Sequence, residues 1–317
     1  MELYLAFLID LILGQPPNRF HLVAWLGRLL SMLENLFRKI SKNNYINSFL
    51  LFFFINIIYY YIYIFFIKFD LFLTNIILVY FSFTFRGMVE HVYPIYIHLK
   101  NHHFEKAKFF TQQIVSRTIK DNDNHTIIRS AIESISENYV DSFVSPLFYF
   151  LLGYIIMPDY SGFFAFYYRI FNTCDAMFGY KNEQYKEFGF IFAKYDDLLN
   201  FLPARISFVF IYVASLLLGY NHRNCYFIWK RDKKKHPSPN GGNPEAAFAG
   251  ALEIQLGGVN YYFNKKEFRP FIGDKIQTLN PIHVVRSIHL FIVSSFLYID
   301  FIFIVRDICE FYKFPLC

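Results

Sequence analysis

Residues Ile46 to Ile67 read INSFLLFFFINIIYYYIYIFFI, twenty-two positions without a charge. A helix of that length covers roughly 33 Å, enough to cross a hydrocarbon core of roughly 30 Å. In lipid a lone segment can satisfy its backbone hydrogen bonds only as a helix. One stretch therefore commits the chain to a membrane and to helices. Composition agrees: 55% of the 317 residues are hydrophobic and only 18% charged, against about 25% charged in ordinary soluble domains.

The remaining apolar runs extend this reading. Lys68-Phe-Asp70 forms a turn, and Leu71–Phe85 returns as a second, shorter span. Ile288–Val305 is a third clear span. Phe143–Met157 and Ile206–Tyr220 have 15 residues each, long enough to cross only if tilted or supported by neighbours. Leu3–Leu13 contains Asp10 and suits an interfacial or partly inserted helix. The fold class expected is all-α: a polytopic integral membrane protein with four to six membrane helices and polar helical loop regions, residues 1–317 forming one membrane-embedded domain. Arg38, Lys39 and Lys42 precede the first pair of spans, and Arg86, Lys100, Lys106 and Lys108 follow it. Basic flanks of this kind place both outer ends on the cytoplasmic side. Sequence alone leaves open the sidedness of residues 172–205, because Phe143–Met157 reads equally as a crossing or as half of a re-entrant pair.

The formal charge of +6 is spread along the chain, which argues against nucleic acid as a partner. Cys174, Cys225, Cys309 and Cys317 show no metal-binding spacing and are expected to be unpaired. The start Met1-Glu2 lacks a basic leader, so no removable signal peptide is expected.

Four polar clusters lie beside the apolar runs. In SAIESISENYVDS, Glu133, Glu137 and Asp141 fall at i, i+4 and i+8 and share one face of a helix. Like charges so spaced cost a few tenths of a kcal/mol per pair. The stack suits either a solvated acidic face or a site for a hard cation such as Mg²⁺. A second cluster contains Asn172, Asp175, Lys181, Asn182, Asp196, Asp197, Asn200 and Arg205 beside apolar segments, where burial is expensive without pairing or function. The third, KKKHPSPNGGNPEAAFAG, leads through two prolines and Gly241-Gly242 into a helix, with Asn243 expected as its N-cap and Pro244 at its first position. A basic, glycine-containing turn entering a helix suits an anion, and the Ala/Gly content of Ala246–Ala251 predicts close helix packing. The fourth gathers Asp10, Arg19, His21 and Arg28 around Pro16-Pro17.

Taken in order, these stretches resemble the cobinamide-phosphate synthase family of cobalamin biosynthesis, the CobD/CbiB family. The matching motifs are Asp10-Leu-Ile-Leu-Gly-Gln-Pro-Pro with His21 and Trp25-Leu-Gly-Arg28; Arg129-Ser-Ala-Ile-Glu133 with Glu137-Asn138 and Asp141; Ser145-Pro-Leu-Phe148; Asn172-Thr-Cys-Asp175 with Gly179-Tyr180-Lys-Asn-Glu183; Asp196-Asp197 with Asn200 and Pro203-Ala-Arg205; and His236-Pro-Ser-Pro-Asn240-Gly-Gly-Asn-Pro-Glu245 with Gln255-Leu-Gly-Gly258. Departures occur at Thr118, where the family carries Asp, at Leu22, where it carries Pro, and in Glu137-Asn-Tyr-Val-Asp141-Ser, where the family reads Glu-Asn-Thr-Ser-Asp-Gly.

The resemblance implies a multi-pass enzyme of the cell membrane with its active site on the cytoplasmic side. It implies ATP-dependent amide ligation of adenosylcobyric acid, the corrinoid substrate, to aminopropanol phosphate or a related amino alcohol, giving adenosylcobinamide phosphate. On that reading Glu133, Glu137, Asp175, Asp197 and His236 are candidate catalytic residues. Arg117, Arg129, Asn138, Asn172, Lys181, Arg205, Asn240 and Glu245 are candidates for substrate or phosphate binding. Glu133, Glu137, Asp141 and Asp196 would hold Mg²⁺ with ATP as cosubstrate. Membrane lipid and later corrinoid-assembly enzymes are the expected partners. Two other classes fit the composition, a transporter using the carboxylates as a cation path and a non-catalytic membrane relative. Against the transporter, the polar clusters flank the apolar runs rather than interrupting them.

Overall fold

A computed structural model of the chain describes residues 1–119, 123–180, 182–262 and 265–312. Helices dominate: α1 Glu2–Leu13, α2 Leu22–Phe37, α3 Asn44–Ile67, α4 Leu71–Ser82, α5 Arg86–Lys100, α6 Phe104–Ile114, α7 Asn124–Tyr139, α8 Ser145–Ile156, α9 Ser161–Phe178, α10 Phe190–Leu199, α11 Phe201–Leu217, α12 His222–Asp232, α13 Gly242–Leu252 and α14 Pro281–Tyr312. Between α13 and α14 lies an antiparallel hairpin, β1 Leu256–Tyr262 and β2 Lys265–Ile272, which the all-α expectation omitted.

Among the described residues, four helical segments are long and apolar enough to cross a membrane: Asn44–Ile67, Leu71–Lys100, Asn124–Ile156 and Pro281–Phe311. A fifth arises if Phe190–Leu199 and Phe201–Leu217, bent by 43°, act as one span. The chain is thus a mostly helical, multi-pass protein, within the expected four to six spans. Two runs that were short in sequence are longer in the fold. Phe143–Met157 joins the acidic helix through a π-turn at Val140–Val144, and Ile206–Tyr220 is extended backward by α10. The α10–α11 bend has a local cause. Pro203 has no N–H to offer the Leu199 carbonyl, which instead accepts from the Tyr149 hydroxyl at 3.0 Å.

The contacts gather into two compact units. One comprises Met1–Thr84, Ser145–Asn200 and the chain from Ile304; the other comprises Phe85–Val144 and Phe201–Phe303. In the first, α3 starts where Asn43 accepts from the Tyr45 N–H at 2.9 Å, and α4 starts where Asp70 accepts from the Leu73 N–H at 2.9 Å. Leu51, Ile55, Tyr59 and Tyr63, spaced by four, form the buried stripe of α3. Tyr59 stacks on Phe163 at 4.6 Å and donates to its carbonyl at 2.9 Å. Only 22% of the apolar window of α3 is buried, leaving most of its Phe, Ile and Tyr side chains for lipid. The core of this unit also holds Phe171, Phe178, Phe188 and Phe192.

In the second unit α12 and α13 pack closely, as the Ala/Gly pattern predicts. A Cβ on Gly250 would sit 2.6 Å from the Asn224 carbonyl oxygen. Helix α13 begins at Gly242, one residue ahead of the expected cap. Asn243 therefore lies inside the first turn, where it accepts from the Trp229 indole at 3.1 Å rather than capping. Cys174 and Cys225 are buried and free, as expected; Cys309 is also buried, and Cys317 lies outside the described residues.

Candidate active site

The acidic helix α7 is capped by Asp123, which accepts from the His125 N–H at 3.1 Å. One turn along, Arg129 donates to the carbonyls of Gly257 and Val259 and to Asn260 Oδ1, the last two at 2.8 and 3.0 Å. Asn260 Oδ1 also accepts from Arg117 Nη1 at 2.9 Å. Glu133 completes the knot: one carboxylate oxygen accepts from the Gly257 N–H at 2.7 Å, and the other pairs with the Arg117 guanidinium. All of these side chains are buried. The glycines of the Gln255-Leu-Gly-Gly258 motif make the knot feasible. Gly257 and Gly258 have φ of +82° and +92°, at a bulge between Leu256 and Gly258, and a Cβ on Gly258 would lie 2.9 Å from Arg129 Nη1. This arrangement seats the hairpin on α7.

Glu137 faces a different set. Its Oε1 is 3.1 Å from His236 Nε2 and 3.7 Å from Arg269 Nη1. His236 Nε2 lies 3.6 Å from Glu245 Oε1 and 3.3 Å from Arg269 Nη1. Four segments converge here: α7 supplies Glu137, the Lys233–Gly241 loop His236, the first turn of α13 Glu245, and β2 Arg269. The loop is shaped for this by its glycines. A Cβ on Gly241 would meet the His236 ring at 2.8 Å, and one on Gly242 would meet the Lys233 carbonyl at 2.1 Å. Ser238 flanks the ring, its N–H and its carbonyl oxygen 3.1 and 3.3 Å from His236 Nδ1, and the ring's tautomer decides which of the two pairs with it. The loop and the end of β2 are tied by Asp232, whose fully buried carboxylate accepts from Arg231, Lys235 and the Gly273 N–H. Although burial opposes ionisation, those three donors hold its carboxyl down at about 2.

The electrostatics of the cluster follow from burial. Glu245, with a side chain only 2% exposed, is pushed well above the usual carboxylate range by desolvation and by the Glu137 and Glu133 charges. Arg269 remains firmly cationic: burial is the largest single effect and opposes its charge, but Glu137, Tyr262, Glu245 and Glu133 together outweigh it. Its guanidinium lies 5.7 Å from the centre of the Tyr262 ring. The result is a pocket of two carboxyl groups, an imidazole and a guanidinium, able to hold a cation or phosphate and to pass a proton between Glu137 and His236.

The other unit holds a second polar cluster. Asp196 accepts from Asn172 at 3.3 Å and from Asn200 at 2.9 Å. Asn200 Oδ1 in turn accepts from the Ser145 and Tyr168 hydroxyls at 2.5 and 2.9 Å. Arg169 donates to Asn172 at 2.9 Å. Burial, together with the Asp197 charge, raises Asp175 to about 6. The pattern Asn172, Asp196, Asn200 expected from sequence is thus physically joined.

The remaining candidates separate. Glu133 falls within the hairpin seat with Arg117 and Arg129, both its oxygens engaged, so its geometry is that of an anchor. Asn138 donates to the Ser134 carbonyl at 2.9 Å. Asp141 lies in the π-turn, which breaks the regular i, i+4, i+8 stack. Arg205 lies over Phe201 at 3.5 Å and donates to Asn240 at 3.4 Å. Lys181 lies outside the described residues. Arg269, Asn260 and Tyr262 were not singled out from sequence. A signal was present in the alternation of VNYYFNKKEFRPF, which marks a hairpin, but nothing local says which arginine turns inward.

Helices apolar and long enough to cross a membrane, with a cluster of carboxyl, imidazole and guanidinium groups, mark a helical membrane protein. A family model described as CobD/Cbib protein matches residues 3–291, and the chain belongs to that family. It is 37% identical to the cobalamin biosynthesis protein CobD of Clostridium perfringens over 98% of this chain and 99% of the relative. To the protein of that name from Leptospira interrogans it is 37% identical over 92% and 93%, and to that from Listeria monocytogenes 33% over 92% and 93%. No solved structure matches the chain.

Proposed function

We propose that the chain acts in cobalamin biosynthesis as an ATP-dependent ligase, joining adenosylcobyric acid to aminopropanol phosphate, or a related amino alcohol, to give adenosylcobinamide phosphate. Family membership supports the pathway. The observation that carries the chemistry is the convergence of Glu137, His236, Glu245 and Arg269 from four separate segments onto one point.

Amide formation from a carboxylate needs activation. In the proposed route a propionate oxygen attacks the γ-phosphorus of ATP and ADP leaves. The amine then attacks the acyl phosphate, phosphate departs, and the ammonium proton must be removed. Magnesium, entering with ATP, supplies charge neutralisation for phosphoryl transfer. Of the carboxylates assigned to it from sequence, Glu133 is already committed to Gly257 and Arg117, whereas Glu137 and the neighbouring Glu245 present oxygens to a common point. Glu137, whose side chain is partly exposed, accepts the amine proton. Arg269 orients a phosphate or propionate oxygen through its fork of N–H donors. The hairpin seat keeps Arg269 and Glu137 in register. The site faces the cytoplasm, where ATP is available.

The test is rescue of a strain blocked at cobinamide formation, with mass analysis of its corrinoids. The wild-type gene restores the amide product, and Glu137→Ala, expressed to the same level, does not. Failure of the wild-type gene to rescue would refute the ligase reading.

A further inference from the structure

The cluster contains an imidazole, and a binding point for Mg²⁺ alone has no need of one, because that ion prefers oxygen ligands. Three further observations bear on what it would hold. One ligand atom from each of Glu137, His236 and Glu245 lies within 4.8 Å of the others, the only such group among the described residues. Two of the separations, 3.1 and 3.6 Å from His236 Nε2 to the carboxylate oxygens, bracket the edge of about 3.4 Å that four-coordinate ligands make with bonds of roughly 2.1 Å. Glu245 Oε1 is buried yet makes no hydrogen bond among the described residues, although its side chain is only 2% exposed and points into this group.

We infer that Glu137, His236 and Glu245 form a binding site for one divalent transition-metal ion of the zinc and manganese class. Two carboxylates and an imidazole are a donor set such ions take, leaving a position open for water or a substrate oxygen. The surroundings match. His236 Nδ1 lies 3.3 Å from the Ser238 carbonyl, the acceptor that would fix the ring with Nε2 toward the ion. Gly241 admits the ring by lacking a Cβ. Arg269 would give up its approach to Nε2 and pair with a carboxylate or with an anion on the open position. The inference concerns the same cluster as the proposed reaction and rests on that reading for the ion's purpose, but binding is tested without turnover.

The full chain, purified in detergent and stripped with chelator, is equilibrated with zinc chloride or manganese chloride, and bound metal is counted by mass spectrometry. One zinc ion per chain is expected, retained in millimolar magnesium. Bound manganese gives an anisotropic EPR signal that equimolar zinc removes. His236→Gln and Glu245→Gln each weaken zinc binding by about tenfold or more, whereas His102→Ala, at an exposed histidine, leaves it unchanged. Melting curves identify any variant that fails to fold, and the other variant then decides. Absence of stoichiometric zinc in the wild type, or unaltered binding in a folded His236→Gln or Glu245→Gln, overturns the inference. Ligase activity in chelator-treated protein that takes up no zinc overturns the site and leaves the reaction standing. Zinc bound at these residues without any ligation supports the site and overturns the proposed function.

Discussion

Replacing Glu133 by Gln separates anchoring from chemistry. The Gln carbonyl can still accept from the Gly257 N–H, as Glu133 Oε1 does at 2.7 Å. Its amide, however, presents donors to the Arg117 guanidinium, which also donates. Arg117 and Arg129, with side chains 6% and 10% exposed, then lose their shared counter-charge. Removing one partner of a buried ion pair costs about 3–5 kcal/mol. For 317 residues an unfolding entropy of roughly 2.1 cal/mol/K per residue gives about 1.5 °C per kcal/mol, so the melting temperature in detergent falls by about 5–8 °C. A fluorogenic thiol dye reads this directly, because buried Cys174, Cys225 and Cys309 become reactive only on unfolding. Adding Arg117→Met removes one stranded charge and recovers part of the loss, a coupling absent for independent sites. An unchanged melting temperature accompanied by abolished product formation would refute the anchoring argument and return Glu133 to the reaction.

Other outcomes follow from the same contacts. Glu137→Gln takes a counter-charge from Arg269 and His236 and lowers the melting temperature by a few degrees while leaving the chain folded, and it removes product formation in a purified assay. Asp232, held at about 2 against an ordinary 3.8, contributes about 2 kcal/mol above pH 4 that is lost as pH falls through 2; Asp232→Asn loses that contribution at neutral pH and flattens acid unfolding followed by circular dichroism. Gly258→Ala forces a side chain onto φ +92° at a cost of about 1–3 kcal/mol, seen as a lowered melting temperature. Asn200→Ala removes the acceptor of the Ser145 and Tyr168 hydroxyls and one donor to Asp196, and costs roughly 1–3 kcal/mol by the same assay.

Much of this was legible in the chain. The uncharged run at Ile46–Ile67 determines its own helix, because lipid allows nothing else. The Asn172, Asp196 and Asn200 grouping was readable because i, i+4 spacing brings Asp196 and Asn200 together within a turn. The acidic stack was only half legible. Spacing places Glu133 and Glu137 on one face, but whether each meets a guanidinium or an imidazole depends on a hairpin more than 120 residues later. The π-turn at Val140–Val144 also removes Asp141 from the expected ladder, and no composition signal marks a π-turn. Arg269 was hidden for the same reason: a strand exposes or buries a side chain by its register, which here is fixed by the Gly257–Gly258 bulge and by Arg129 reaching across to it.

The most direct test of the account is reconstitution in vitro. The purified chain in detergent or lipid is mixed with adenosylcobyric acid, aminopropanol phosphate and magnesium ATP, and corrinoid and nucleotide products are followed by mass spectrometry. The account predicts adenosylcobinamide phosphate formed in step with ATP cleavage by the wild type, and its loss in folded Glu137→Gln. Product formed at wild-type rate by Glu137→Gln, or ATP-independent product, would contradict it.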